Sequence, residues 1–178
     1  MRLAMLLRCK QLATAIAKQY DNRAQFQRIR VKALGLHWRG TQLLAFEVYD
    51  RDGTLKGVRP LGGSIEFGET AKDAVVREFK EEIDVDVAVV GGPIILENVF
   101  SHEGQDRHEI LFIFDVAFPP GAFDGQHRIR FQEDDGTWLV AAWFDPRELD
   151  IDGGPNLYPK GLKSRLSIEG IVGSGTTQ

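Results

Sequence analysis

Between Gly63 and Val85 a glycine-containing loop runs into the most sharply patterned segment of the chain, and that segment constrains both the fold and the chemistry. Thr70 can cap free helical N–H groups, Asp73 follows three residues later as in a capping box, and apolar residues recur on one face as far as Ile83. At 3.6 residues per turn, Glu78, Glu81 and Glu82 stand at i, i+3 and i+4, so three carboxylates leave adjoining parts of one face. Val75, Val76, Phe79 and Ile83 occupy the next sector and should dock the helix on a sheet, leaving the acids over a cleft. Like charges crowded in this way destabilise a helix by a few tenths of a kcal/mol per pair, and a hard divalent cation with oxygen ligands relieves them. Arg77 cannot bind a metal, but its guanidinium can pair with Glu69 or Glu81 and hold it in place. Each feature alone has a plain alternative, since acidic helix faces are usually solvated surface and a Gly-Gly pair is usually a turn.

The rest of the chain agrees with one compact domain of 178 residues. The formal net charge of -4 offers no overall positive field for holding nucleic acid. Cys9 is the only cysteine, so no intramolecular disulfide can form, and no Cys/His spacing resembles a zinc site. A reducing cytoplasm is the expected compartment. Residues 1–27 read as a basic helical leader whose apolar run Leu3 to Leu7 is too short for a membrane span, and residues 173–178 as a flexible tail. The intervening domain, residues 28–172, opens with an expected hairpin of Arg28 to Trp38 and Leu43 to Tyr49 around Arg39-Gly40-Thr41. Asp52-Gly53 marks a second turn. After the helix, strands are expected at Val85 to Val90, Ile94 to Phe100, Glu109 to Phe118 and Thr137 to Phe144, with Gly91-Gly92-Pro93 and Pro119-Pro120-Gly121 as breaks. Asp145-Pro146 opens a helical turn, and Lys160 to Ile171 reads as a closing helix.

Gly63, five residues, Glu69, seven residues, Arg77-Glu78, two residues, Glu81-Glu82 and the apolar Val85 together reproduce the box of the Nudix hydrolases. The stretch from about Arg28 to Leu162 resembles a Nudix domain, including Arg59-Pro60-Leu61-Gly62-Gly63 before the box and His108-Glu109-Ile110 after it. This resemblance implies an α/β fold, an α/β/α sandwich with a mixed sheet, in which the box binds magnesium (with manganese able to stand in) and a diphosphate. It implies Glu78, Glu81 and Glu82 as metal ligands, the Gly63 carbonyl as a further ligand, and Glu69 with Arg77 as a supporting pair. The implied reaction is hydrolysis of the pyrophosphate bond in a nucleoside diphosphate linked to another moiety, with a carboxylate accepting the proton of the attacking water. Glu109 and Glu81 lead as that base, with Glu97, Glu103 and Glu133 also open; each alone can equally be an exposed surface carboxylate. The partner implied is a small molecule, with no membrane, no nucleic acid, and a homodimer left open. Asp84 stands where the box usually has glycine; that position ends the helix in a left-handed conformation, which Asp can adopt at modest cost. The alternative class is a Nudix-like module that senses a nucleotide without hydrolysing it, against which the complete set of box carboxylates argues.

Substrate markers known for branches of the family are absent: Phe100 and Ser101 stand where a proline would mark the ADP-ribose branch, and no NADH or coenzyme A signature occurs. A prenyl diphosphate isomerase would need a cysteine in the core, where this chain has none. Trp38, Trp138, Trp143 and Phe67 could stack on a base, although three of them sit in strand-like runs that favour core packing. His102, His108 and His127 share no metal-ligand spacing. Arg107, Arg128 and Arg130 are candidate phosphate contacts, with exposed loop arginine as the plain reading.

Overall fold

The computed structural model describes residues 28–102, 104–133 and 136–169, so the leader, the tail and Glu103 lie outside the described residues. In chain order the elements are β1 (Ile29–Leu36), β2 (Trp38–Arg39), β3 (Gln42–Tyr49), β4 (Leu55–Arg59), α1 (Ala71–Ile83), β5 (Ala88–His102), β6 (Gln105–Ala117), β7 (Arg128–Gln132), β8 (Trp138–Phe144), a 3-10 turn (Pro146–Glu148), β9 (Asn156–Leu157) and α2 (Leu162–Glu169). They form an α/β fold with two mixed sheets. One has the order β1-β6-β5, with β1 parallel and β5 antiparallel to β6. The other runs β7-β8-β3-β4-β9, with β2 paired to β3 and β9 parallel to β4.

The expected first hairpin shrinks to β2 and β3, which pair only Trp38 with Leu43 and Arg39 with Gln42 around the left-handed Gly40. β1 departs to the other sheet. Ala33 to Leu36 are all buried, and a strand apolar on both faces needs an interior position with covers on both sides. β1 has one: β6 holds one edge, and the loop 61–65 holds the other through Gly35 N–H to Leu61 O, Ala33 N–H to Gly63 O and Ile65 N–H to Val31 O, each 3.0 Å.

Gly91-Gly92-Pro93 does not end a strand either. β5 passes through it with a register shift between Val90 and Ile94, and Gly91 takes the positive φ of 72° that a bulge can require. β7, which the sequence reading left out, alternates exposed and buried over Arg-Ile-Arg-Phe-Gln.

α1 begins as expected, with the Asp73 N–H donating to Thr70 Oγ1 at 3.2 Å. It ends at Asp84 in the left-handed region (φ 53°, ψ 40°), whose N–H donates to Lys80 O while Val85 N–H reaches Phe79 O. Val75, Phe79 and Ile83 are buried and Val76 is half-buried. Burial contributes about 1.5–3 kcal/mol for each large apolar side chain. A Cβ on Gly35 would overlap the Phe79 ring, so the bare strand surface there is what seats the helix. Side-chain alternation puts Ala33 and Leu34 on opposite faces of β1. Ala33 joins the cluster containing α1, whereas Leu34 joins the cluster containing Leu162 and Leu166 of α2. The two helices therefore cover opposite faces, giving the expected α/β/α layering.

Candidate active site

The box loop is held against β1, and this contact places Gly63 beside α1. A Cβ on Gly63 would collide with the Glu78 carboxylate, so glycine leaves room for that group. The Gly63 carbonyl accepts the Ala33 N–H at 3.0 Å and retains a second lone pair. One residue earlier, the Gly62 N–H donates to Glu82 Oε2 at 3.2 Å.

Arg77 organises the remaining acids. It donates two parallel hydrogen bonds to Glu69, from Nε at 2.9 Å and Nη2 at 3.0 Å, and others to Glu78 at 3.0 Å, Glu81 at 2.8 Å and the Ser64 carbonyl at 3.0 Å. The bidentate Arg77 pairing, helped by the Glu66 N–H, holds the Glu69 carboxyl below its usual range. Glu81 is half exposed and pairs with Arg77. As the side chains stand, no three His, Cys, Asp or Glu groups among the described residues are arranged to hold a metal ion. Arg77 draws Glu78 and Glu81 to itself, while Glu82 leans on Gly62.

The electrostatics nevertheless leave this site short of positive charge. Desolvation first, then Glu133 and Glu78, push Glu82 up to about 8. Glu78 is also raised by burial, against the pull of Arg77. Two desolvated carboxylates beside a backbone carbonyl form an all-oxygen donor set, the chemistry a hard divalent cation takes. The residues present fit such an ion.

Glu109 is no surface carboxylate. It is 3% exposed on β6, with Lys32 Nζ at 3.8 Å and Arg59 Nη2 at 3.5 Å, and neither Glu109 Oε2 nor Arg59 Nη2 has a hydrogen-bond partner. Register explains its position, since Arg30, Glu109 and Asn98 form one cross-strand row. Burial, then repulsion from Arg59, lowers Lys32 to about 8, against the attraction of Glu109. The Lys32 charge also acts on Glu78 and Glu82, which joins the box to the cleft lined by Lys32, Arg59 and Glu109. That cleft has a volume of about 780 Å³, the size of a nucleotide-derivative site.

Of the other acids, Glu133 lies within electrostatic reach of both Glu82 and Lys32, whereas Glu97 is exposed and paired with His108 at 2.8 Å. Lys32 and Asn98 were missed in the sequence. The available signal was a polar residue interrupting an apolar strand.

Core packing describes Trp143, which is 9% exposed beneath the Arg39 guanidinium; Trp38 is half-buried and donates to Asp115. Trp138 and Phe67 are exposed. Trp138 opens β8 opposite Gln132, the last residue of the edge strand β7. The three arginines read as loop residues all lie on strands: Arg107 lines the cleft, Arg128 pairs with Glu47 at 2.6 Å, and Arg130 lies over Trp138.

A family model described as NUDIX domain matches residues 28–163. A search of curated proteins returned no match. Among solved structures, the E. coli ORF135 protein superposes with a TM-score of 0.55 at 18% identity, covering 84% of this chain and 96% of that one. A MutT NUDIX hydrolase from Burkholderia pseudomallei gives 0.52 at 18% identity, covering 78% and 98%. At such identities the likeness speaks for the fold.

Proposed function

This chain belongs to the Nudix family, and we propose that it is a magnesium-dependent pyrophosphohydrolase acting on a nucleoside diphosphate linked to another moiety. The observation that carries the reading is the pair of buried carboxylates, Glu78 and Glu82, seated on the Gly62-Gly63 loop, with burial first among the causes that raise their pKa values. Magnesium held by Glu78, Glu82 and the Gly63 carbonyl, with Glu81 at the rim, would neutralise phosphate oxygens and acidify a bound water; manganese would serve similarly.

In this reading the chain's own residues have distinct tasks. Arg77 braces Glu69, Glu78 and Glu81 from one guanidinium, so the carboxylates keep their places against mutual repulsion. Lys32 and Arg59 present positive charge to the diphosphate where the cleft meets the box. The water oxygen bonds to one phosphorus, the bridging P–O bond breaks, and two phosphomonoesters leave. The proton from water passes to a carboxylate. We assign that task to Glu133, because its charge acts on Glu82, whereas Glu109 stands between two cations and Glu81 is held by Arg77.

The test is hydrolysis of ADP-ribose, NADH, nucleotide sugars, dinucleoside polyphosphates and nucleoside triphosphates with and without magnesium, beside Glu82→Gln. Turnover should require the metal and fall by at least about a hundredfold in the variant. Silence across the panel with tight nucleotide binding retained would replace this reading with the sensing module.

A further inference from the structure

Seven cationic side chains line the cleft against three carboxylates, in a chain whose formal net charge is -4. Only Lys32 and Arg59 belong to the part that meets the box, where Glu109 faces both of them. The other cations come from separate parts of the chain and gather farther out. Arg30 and Arg107 stand on the β1 and β6 wall, Arg51 and Lys56 on the β3–β4 turn and strand, and Lys160 between β9 and α2. Asp50 already accepts from the Asp52 and Thr54 N–H groups and pairs with Lys56 at 3.1 Å, so it leaves a cationic excess at the mouth. Lys32 is level with Leu111, and Arg107 lies four residues along β6, so their backbones are about 13 Å apart at roughly 3.3 Å per residue. Phe100 stands level with Arg107, Tyr158 offers a further ring in the lining, and Asn98, level with Glu109, is buried there with its amide available for polar recognition.

We propose that the outer half of this cleft binds a second anionic group, a phosphate or carboxylate on the substrate, distant from the diphosphate that is cleaved. This rests on the hydrolase reading for the position of the scissile bond. Preferred substrates are then nucleotide derivatives charged at both ends, with the far charge held by Arg107, Lys160 and their neighbours.

Binding and turnover test the inference separately. In metal-free buffer, calorimetric titration compares AMP with adenosine 2′,5′- and 3′,5′-bisphosphate. At least one bisphosphate should bind about tenfold or more tightly, and the advantage should shrink as salt rises. With magnesium, kcat/KM is compared for NADPH against NADH, and for UDP-glucuronate against UDP-glucose; the first pair reports a distal phosphate and the second a distal carboxylate. The charged member of at least one pair should lead by about tenfold. The double variant R107A/K160A should lose that lead, while Lys72→Ala, an exposed lysine on α1, should keep it. Equal affinity across the AMP series together with equal kcat/KM within both pairs overturns the inference. A bisphosphate preference without hydrolysis of any compound would sink the hydrolase reading and uphold the anion site.

Discussion

Glu82 carries an energetic consequence that can be measured without substrate. Its carboxyl lies near 8 in the metal-free fold against an ordinary 4.5, so the folded state binds a proton that the unfolded chain releases. The contribution to stability is complete below about 4.5 and disappears as pH rises through about 8. Denaturant unfolding in a chelator should therefore show wild type losing stability between pH 5 and 9, by up to a few kcal/mol, while Glu82→Gln loses much less. Parallel pH profiles for the two proteins would show that the carboxylate is not desolvated. At the same scale Asp84 was legible in advance, because the box calls for a left-handed residue and Asp tolerates that conformation; the structure places it at φ 53°. Glu109 was singled out in the sequence as a candidate base, but its burial was not legible. A lone Glu in a strand reads as surface, and only the register with Arg30 and Asn98 turns it into the buried partner of Lys32 and Arg59.

The element that decides the site is the pairing of the 61–65 loop with β1, since it fixes how closely Gly63 approaches α1. Gly63→Ala should displace the Glu78 carboxylate, which is the flexible end of a side chain, and not the backbone. Activity should fall at least tenfold, while unfolding free energy changes by less than about 1 kcal/mol. A fully active variant would remove Glu78 from its assigned place. Helix α1 itself was readable because capping, periodicity and acid spacing are all local. The β1 pairing was not. The turn at Gly40 is genuine, but hydrogen bonding to β6 is a contact between residues 29–36 and 108–115, which no local pattern encodes.

At the level of the molecule, the two apolar clusters draw on the same sheets: Ala33 and Leu44 lie in one, Leu34 and Leu43 in the other. Neighbouring residues of single strands thus tie the clusters together, and they should unfold as one cooperative unit. Phe131→Ala and Leu34→Ala, one in each cluster, should each cost about 2–5 kcal/mol and shift one shared transition. Two separable transitions would show independent halves. What the sequence alone determined is the loop-to-helix box, its family and the α/β/α class, because these are carried by spacings within some 23 residues. Tertiary structure decided which carboxylates face one another, that Lys32 and Arg59 reach Glu109, and that cations from separate elements share one cleft. Burial and strand register set those outcomes, and both are properties of contacts between segments far apart in the chain.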